Sequence, residues 1–343
     1  MSFIVVGTNY KYSPIELREK IYFSKSRIGD ALQFLKERSN FKAAVILSTC
    51  NRVEIYASIE DTGTGIKEIE DFISRYHEIE SKITYPYLYR YSDKEAIKHL
   101  LSVVCGLDSL ILGETQILAQ AQSSLFESES AGFADEFLRE IFYYAFHIAK
   151  KIHTETKINE GEVSVGSVTI DFIKEKIGSI TSKNILIIGV GKVTELLLKY
   201  LDKEGSNVVF VSNRTFKKAE ELAQQIKAKA VRLDDLKQFL KNADIVITAT
   251  SSPHFIIRKE SLDEIKNHKL LILDLAVPRD VDPQLKQLKN VDLFYLEDLK
   301  YIIERNAGRK IKEVQEAENF LEIEAKELWQ RITKLEPESA ISP

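Results

Sequence analysis

One stretch of the chain constrains its fold more than any other. The apolar run 185–188 is followed directly by Gly189–Gly191 and then by a helix-like segment. A strand that is apolar at every position indicates burial on both faces, as in a parallel sheet with crossover helices. Further runs of this kind alternate with helical stretches at 208–211, 245–247 and 270–273. The pattern predicts a Rossmann-like nucleotide-binding domain at 161–296 in an α/β protein.

The glycines after the first of these strands indicate how a nucleotide is held. They permit a tight turn and a close approach of the backbone to a pyrophosphate at the N-terminus of the next helix. Thr194 replaces the third glycine of the usual fingerprint, so the prediction depends on the strand context. The predicted cofactor-binding residues are Gly189, Val190, Gly191, Lys192, Val193, Thr194, Ser212, Asn213 and Arg214.

The end of the second strand, Ser212–Thr215, favours NADPH over NADH. An NAD enzyme places an acid there for the ribose hydroxyls. No carboxylate is present in this stretch, and Arg214 is available for a 2′-phosphate. In the alternative, Arg214 only caps the following helix and cofactor specificity stays open.

The first 160 residues predict an N-terminal α+β domain. Strand-like segments at 3–6, 43–47 and 53–59 are interspersed with helices. Thr62–Gly65 has the composition of a loop, and the pattern after it is helical to Lys176. We therefore expect strands first and helices afterwards in this part of the chain.

Cys50 is the candidate nucleophile of this domain. It lies between two predicted strands, two residues from the Arg52 guanidinium, which can lower the pKa of a thiol. The alternative is that Cys50 packs at the end of a strand, because cysteine is among the most buried residue types.

Three stretches of the chain resemble the glutamyl-tRNA reductase family. They are Ser48–Tyr56, Gly106–Gln120 and Leu275–Val281, and the likeness runs from Met1 to about Arg331. Members of this family reduce the glutamyl group of glutamyl-tRNA(Glu) to glutamate 1-semialdehyde with NADPH, the first step of tetrapyrrole synthesis. The resemblance implies that Cys50 forms a thioester with the substrate.

The resemblance also implies the other site residues. The residues that match substrate-binding positions are Thr49, Cys50, Asn51, Arg52, Ser109, Glu114, Thr115, Gln116 and Gln120. His99 matches a histidine that the family needs for activity, and it would shuttle a proton or bind the substrate amine.

Each of these roles has a structural alternative. Arg52 has the planar fork that suits the substrate's side-chain carboxylate, but it could instead pair with Glu54. Asn51 could stabilise an oxyanion or cap the turn, and the polar face of Gln116 and Gln120 could be an ordinary solvated helix face. His99 could be a partly buried core residue.

The segment 297–343 predicts a long amphipathic helix to about Lys334 with a narrow apolar stripe, of the kind that packs on another helix. In the family this helix leads to a dimerisation domain of several tens of further residues. Because the chain stops at Pro343, we expect a truncated dimerisation region, and a homodimer stays open.

Composition limits the partners and the compartment. The net charge of −4 gives no global basic field, so tRNA would need a local basic surface. Candidates are the clusters Lys150, Lys151, Lys157 and Arg305, Arg309, Lys310. Two cysteines, no zinc-like Cys/His spacing and no apolar stretch near ~20 residues predict a cytoplasmic protein with neither structural metal nor membrane anchor.

The residues leave two other functions open. One is a shikimate dehydrogenase-like NADP-dependent reductase, which uses a lysine and aspartate pair and needs no cysteine. The other is a non-catalytic paralogue that binds tRNA or a pathway partner without turnover. In the family context a further candidate partner is glutamate-1-semialdehyde aminomutase.

Overall fold

The structure is a computed structural model, and it describes residues 1–156, 164–212, 215–225, 228–262, 268–307 and 311–334. Its contacts divide the chain into two units. The first contains Met1–Glu160 with Lys310–Pro343, and the second contains Gly161–Arg309. Each unit has its own sheet, so the predicted mixed α/β class is confirmed.

The first unit has an antiparallel sheet of four strands, with the order β2-β3-β1-β4. The strands are β1 (Ser2–Asn9), β2 (Ala43–Ser48), β3 (Arg52–Ile59) and β4 (Tyr89–Ser92). The helices before residue 160 are α1 (Ile15–Ile21), α2 (Ile28–Arg38), α3 (Thr62–Tyr76), α4 (Ser81–Thr84), α5 (Asp93–Val104), α6 (Gln116–Ser130) and α7 (Glu136–Glu155).

Both faces of this sheet are covered by helices. One core contains Ile4 and Ile55 with apolar residues of α1, α2 and α3. The other contains Phe3 and Tyr56 with residues of α5, α6 and α7. Because side chains alternate along a strand, the polar residues of β3 that share a face with Tyr56 point into the second core. This alternation positions the candidate site.

Two predictions for this part of the chain are wrong. Thr62–Gly65 is the first turn of α3, because the Asp61 side chain accepts the Thr64 N–H at 3.2 Å and caps the helix. A Cβ at Gly65 would lie 2.8 Å from Ile4, so this glycine lets the helix pack closely on the sheet. The predicted helical region to Lys176 also contains β4, which pairs with β1.

The second unit has a six-stranded parallel sheet in the order β10-β9-β8-β5-β6-β7. The strands are β5 (Asn184–Ile188), β6 (Asn207–Ser212), β7 (Lys229–Arg232), β8 (Ile245–Thr248), β9 (Leu270–Asp274) and β10 (Val291–Tyr295). The helices are α8 (Val165–Ile177), α9 (Lys192–Leu201), α10 (Phe216–Gln225), α11 (Leu236–Leu240) and α12 (Lys300–Ala307).

The strand order reverses between β5 and β8, as in a dinucleotide-binding sheet. Ligands of such sheets bind outside the carboxyl ends of the strands at this switch point. The parallel Rossmann-like sheet predicted from the apolar runs is therefore confirmed, and its binding edge is defined.

The C-terminal helix α13 (Ile311–Lys334) belongs to the first unit. Its apolar stripe, which includes Leu321 and Leu328, is buried in the core shared with α5 and α7. The stripe packs on other helices, as predicted, and these helices belong to the same chain. The predicted helix from Glu297 begins instead with a 3₁₀ turn (Leu296–Leu299) and α12, while residues 308–310 lie outside the described residues.

We predict that Leu321→Ala destabilises the protein strongly. Leu321 is fully buried, and removing a buried leucine side chain costs about 2–5 kcal/mol of unfolding free energy. Ile323→Ala is the matched control, because Ile323 is 56% exposed on the same helix. Denaturant unfolding checks the pair. Equal effects of the two variants would show that the stripe does not carry the packing of α13.

Candidate active site

Cys50 lies in the turn between β2 and β3 and is partly exposed. The Thr49 hydroxyl accepts the N–H groups of Asn51 and Arg52, both at 3.2 Å. The Thr49 N–H donates to the Arg52 carbonyl at 2.8 Å, and the Tyr10 N–H donates to the Asn51 carbonyl at 2.9 Å. The turn is therefore held both internally and from β1, and Thr49 supplies the capping that the sequence suggested for Asn51.

The second cysteine has a different environment. Cys105 is fully buried in the core of the first unit, as predicted, and burial raises the pKa of its thiol to about 12. A thiol of this kind is inert as a nucleophile at neutral pH. Of the two cysteines, Cys50 is the one that can react with a substrate.

A buried carboxylate, Glu54, lies two residues beyond Arg52 on the same face of β3. Glu54 pairs with Gly7 on β1, and Gly7 in turn pairs with Tyr89 on β4. A Cβ at Gly7 would lie 2.8 Å from the Glu54 Cγ. The missing side chain at Gly7 lets Glu54 and Tyr89 meet above β1, and the Tyr89 hydroxyl donates to Glu54.

Three other groups reach the same carboxylate. The Arg52 guanidinium donates to Glu54 Oε1 at 2.6 Å, His99 Nε2 lies 2.7 Å from that oxygen, and the Tyr56 hydroxyl donates to Oε2 at 2.6 Å. Burial alone would raise the pKa of Glu54, but the charge of Arg52 and the bond to His99 hold it well below its usual range. Glu54 is therefore ionised and accepts all four bonds.

Arg52 is 1% exposed, and its guanidinium also contacts Asp108 in the loop that follows α5. Asp108 accepts from Asn9 at 3.0 Å and from Lys11 at 2.5 Å. Burial would raise the pKa of Asp108, yet the charges of Arg52 and Lys11 lower it. The geometry favours the alternative in which Arg52 pairs with Glu54, and its contact with the substrate carboxylate stays a prediction.

The loop from Gly106 to Thr115 is closed by two glycines in left-handed conformations, Gly106 (φ 73) and Gly113 (φ 75). The Gly113 N–H donates to the Gly106 carbonyl at 3.0 Å. A Cβ at Gly106 would lie 2.8 Å from the carbonyl oxygen of Glu114, so glycine is required there. The closed loop sets the position of Ser109 and Glu114 relative to Arg52.

The predicted substrate residues of this segment differ in exposure. Ser109, Glu114 and Gln116 are half-buried, whereas Thr115 and Gln120 are exposed. The face of Gln116 and Gln120 is therefore solvated at Gln120, which fits the alternative of an ordinary helix face at that residue. Burial raises the pKa of Glu114 to about 7, although the charge of Arg52 acts to lower it.

A cavity of about 310 Å³ opens beside this network. His99 and Asp108 border it together with Lys11 and Tyr91. The His99 ring packs against both Tyr89 and Tyr91, with centroids 5.1 Å and 4.9 Å away. Because ionised Glu54 can only accept hydrogen bonds, His99 Nε2 carries a proton. The other ring nitrogen, Nδ1, can accept a second proton and pass it on. Among the described residues no group of three acidic, His or Cys side chains could hold a metal ion.

The second unit presents the predicted phosphate-binding turn at the carboxyl end of β5. Gly189 has φ 116, and a Cβ there would lie 2.4 Å from the Ala249 carbonyl oxygen. A Cβ at Gly191 meets no described heavy atom within 4 Å, which leaves space for a ligand. Gly191 precedes the ten-residue helix α9 without a side-chain cap, so the first N–H groups of α9 can bind a phosphate.

Thr194 explains the departure from the usual glycine fingerprint. It is buried, and its hydroxyl donates to the Gly189 carbonyl at 3.1 Å. Lys192 is exposed, and Val190 and Val193 are half-buried in the same turn. Ser212 ends β6, whereas Asn213 and Arg214 lie outside the described residues. The turn fits a dinucleotide pyrophosphate, and the predicted role of Arg214 stays a prediction.

Sequence reasoning missed several residues of the site: Gly7, Tyr89 and Asp108. An isolated glycine inside a strand is a signal of close backbone approach, and Gly7 stands within such a strand. The alternation of Arg52, Glu54 and Tyr56 on a strand was a second signal, because it places three polar groups on one face.

Comparisons with known proteins agree with these two units. Residues 6–156 match the family described as the N-terminal domain of glutamyl-tRNA(Glu) reductase, and residues 171–302 match that of shikimate/quinate 5-dehydrogenase. Fold and site together define a Rossmann-type oxidoreductase with a separate cysteine-containing unit.

Proteins similar along nearly the whole chain identify the family. A glutamyl-tRNA reductase of Geobacter sulfurreducens is 35% identical over 98% of this chain and 78% of its own length. The glutamyl-tRNA reductase of Carboxydothermus hydrogenoformans is 36% identical over 95% of this chain and 73% of its own length. The solved structure of glutamyl-tRNA reductase from Methanopyrus kandleri is similar, with a TM-score of 0.52 and 29% sequence identity. The match covers 97% of this chain and 81% of that one. The chain belongs to the glutamyl-tRNA reductase family.

We predict that Glu54→Gln destabilises the first unit. Removing one charge of a buried pair leaves Arg52 with Asp108 as its remaining counter-charge at 3.1 Å, and breaking such a pair costs about 3–5 kcal/mol of unfolding free energy. Glu60→Gln is the control, because Glu60 follows the same strand, pairs with Lys42 at 3.5 Å and is 79% exposed. Thermal and denaturant unfolding measure both. Similar losses in the two variants would mean that Glu54 does not organise the site.

Proposed function

We propose that this protein reduces the glutamyl group of glutamyl-tRNA(Glu) to glutamate 1-semialdehyde with NADPH, through a thioester on Cys50. This is the first step of tetrapyrrole synthesis, and we place it in the cytoplasm. The observation that carries the proposal is the partly exposed thiol of Cys50 in a hydrogen-bonded turn adjoining the Arg52–Glu54–His99 network. The family of the chain supports the same substrate.

The chemistry of the ester explains why a thiol is required. The Cys50 thiolate attacks the carbonyl that joins glutamate to the terminal ribose, and the ribose oxygen leaves with the electron pair of the broken C–O bond. A free carboxylate would repel the thiolate and has no leaving group. The resulting thioester is less stabilised by resonance than an oxyester, so hydride adds to it and the C–S bond then breaks to release the aldehyde.

We assign His99 to proton transfer and Glu54 to its positioning. Glu54 holds one proton of His99 on Nε2, so Nδ1 can accept the proton that the Cys50 thiol loses and then deliver it to the departing ribose oxygen. The packing of the ring against Tyr89 and Tyr91 limits its rotation. A fixed tautomer and a fixed ring are what a general acid needs.

We assign the glutamyl group to the cavity beside His99, which the ion pair of Asp108 and Lys11 borders. Glu114, half-buried and near the charge of Arg52, is the candidate partner of the substrate ammonium. The ionised form of Glu114 is the one that attracts a cation. Thr49, Asn51 and Ser109 complete the proposed substrate-binding set, with Thr115, Gln116 and Gln120 at the start of α6.

NADPH, when bound, supplies the hydride that reduces the thioester. Gly189, Gly191 and the first N–H groups of α9 would hold its pyrophosphate, and Arg214 its 2′-phosphate. The shikimate dehydrogenase-like alternative accounts for residues 171–302, whereas residues 6–156 match the glutamyl-tRNA reductase domain. Detection of an acyl-enzyme would likewise exclude a non-catalytic paralogue.

The tRNA must meet a local basic surface. Lys150 is exposed on α7, and the Lys151 ammonium lies 4.8 Å from the Phe320 ring centroid. Arg305 pairs with Glu175 at 2.8 Å, while Lys157, Arg309 and Lys310 lie outside the described residues. Lys150 and Lys151 are our candidates for phosphate contacts among the described residues, and such contacts would make binding depend on salt.

Two further partners belong to the proposal. The aldehyde product is reactive, which favours its transfer to glutamate-1-semialdehyde aminomutase. A homodimer would have to use a surface other than the apolar stripe of α13, because that stripe is buried within the chain. Among the described residues no helix is long and apolar enough to cross a membrane.

We predict that Cys50→Ser abolishes semialdehyde formation without unfolding the protein. Serine would hold the substrate as an oxyester, which is a poor hydride acceptor. Mass spectrometry of the unmodified protein with glutamyl-tRNA and no NADPH should show a glutamyl adduct on Cys50, and none on Cys105. Full activity of Cys50→Ser would refute the thioester mechanism.

We predict a pH-dependent Michaelis constant that requires Glu114. The pKa of Glu114 is about 7, so its carboxyl is neutral at pH 6 and ionised at pH 8. The KM for glutamyl-tRNA should therefore fall as the pH rises through about 7. A charge-assisted contact is worth about 1.5–3 kcal/mol, so Glu114→Gln should raise KM roughly ten-fold to a hundred-fold at pH 8 and little at pH 6.

The control for this prediction is Glu127→Gln. Glu127 lies about three turns into α6, whereas Glu114 precedes that helix. The control variant should leave the pH profile of KM unchanged. If Glu114→Gln raises KM equally at pH 6 and pH 8, Glu114 does not act through its charge.

A further inference from the structure

The segment Leu275–Val281 carries part of the family resemblance, yet the proposed reaction assigns it no role. It follows β9 at the carboxyl end of the parallel sheet, the edge at which dinucleotides bind. Two buried carboxylates frame it, Asp274 and Asp280, which are 1% and 0% exposed. Buried carboxylates are costly unless they are fully hydrogen-bonded, so their partners indicate what the segment does.

Asp274 binds within its own loop and to the neighbouring strand. Its carboxylate accepts the N–H groups of Ala276 at 3.1 Å, Asp280 at 2.9 Å and Val281 at 3.0 Å. The Thr248 hydroxyl at the end of β8 donates to it at 2.7 Å. Asp274 therefore folds the segment back on itself and places Asp280 beside the end of β8.

Asp280 holds both ends of a second loop, residues 250–256, which follows β8. Its carboxylate accepts the N–H of Thr250 at 2.9 Å and the Thr250 hydroxyl. Its backbone carbonyl accepts the N–H groups of Ile256 at 2.6 Å and Ile257 at 3.0 Å. Between these anchors Ser251 and the residues 253–255 are exposed. One residue thus sets the conformation of an exposed loop at the binding edge.

This loop adjoins the phosphate-binding turn. Thr250 Cγ2 would lie 3.2 Å from a Cβ at Gly189, and the Ala249 N–H donates to the Ile188 carbonyl at 2.9 Å. A shift of the loop would therefore change the distance between its exposed side chains and a dinucleotide held at Gly189 and Gly191.

The strand order indicates which end of the cofactor the loop meets. The pyrophosphate belongs at the turn after β5, and the adenine ribose belongs at the end of the second strand, β6. Since β6 and β8 lie on opposite sides of β5, the nicotinamide half of the dinucleotide extends towards β8 and β9. Residues 250–256 stand on that side.

We propose that Asp280 and Thr250 are positioning residues that set the loop 250–256 for the nicotinamide end of NADPH. They act on the delivery of hydride more than on the affinity for the cofactor, which depends on contacts at the turn after β5. This inference rests on the proposed reduction of a Cys50 thioester.

The test uses Thr250→Val, which keeps the shape of the side chain and removes its hydroxyl, together with Asp280→Ala. Thr250→Ser is the conservative variant, because it keeps the hydroxyl that donates to the Asp280 carboxylate. Thr181→Val is the matched control. Its hydroxyl donates to the Glu204 carbonyl at 3.3 Å, and it precedes β5 at the opposite edge of the same sheet.

Three quantities are measured for each full-length variant: the NADPH dissociation constant with the emission of the bound nicotinamide, the rate of thioester formation without NADPH, and the fate of the preformed thioester at saturating NADPH. We expect Thr250→Val to slow reduction roughly ten-fold to a hundred-fold, the size typical of lost positioning. The thioester should then partition towards hydrolysis to glutamate, and the nicotinamide emission should change.

The same variant should form the thioester at the wild-type rate and bind NADPH within about three-fold of wild type, because the contacts at Gly191 and α9 are unchanged. Thr250→Ser and Thr181→Val should behave as wild type. Unchanged partitioning in Thr250→Val would overturn the inference, as would a loss of NADPH affinity that accounts for the slower reduction. Absence of a thioester in the wild-type protein would overturn the proposed function instead, and this inference with it.

Discussion

The first unit depends on one buried carboxylate. Glu54 is excluded from water, so its charge is tolerated only because Arg52, His99, Tyr56 and Tyr89 all bind it. These partners lie on β3, β4 and α5. Arg52 also contacts Asp108 and so extends the network to the loop after α5. The order of the site follows from electrostatics, because moving one of these partners would remove part of what compensates a charge in a medium of low dielectric constant.

The two units use different means to hold a ligand. In the first, charged side chains are locked by one another around a cavity beside His99. In the second, the turn after β5 offers uncapped backbone N–H groups, and its glycines leave space that phosphates would fit. Covalent catalysis requires a side chain whose protonation state is fixed by its neighbours. Binding of a dinucleotide requires mainly a complementary shape and the N–H groups at a helix N-terminus. The chemistry assigned to each unit fits these means.

Predictions from local pattern succeeded where neighbours in the sequence decide the structure. The apolar runs and glycines of the parallel sheet are of this kind, since a strand buried on both faces has few alternatives. Predictions failed where distant contacts override composition. Thr62–Gly65 reads as a loop, yet the Asp61 cap and the close packing of Gly65 on Ile4 make it helical. The strand β4 is only four residues long and contains no aliphatic residue, so its sequence did not predict a strand. It is a strand because it pairs with β1.

The sequence by itself determined the family, the Rossmann-like sheet, the glycine turn after β5 and the place of Cys50 between two strands, because each depends on contiguous residues. Tertiary structure alone decided that Glu54 meets His99, 45 residues away, and that Asp108 reaches Arg52. It also decided that Arg52 is committed to buried ion pairs, a choice that spacing left open. The physical reason is that a charge and its partner must lie close together in space, and only folding brings them there. Gly7 contributes because it has no side chain on the surface of β1 where Glu54 lies.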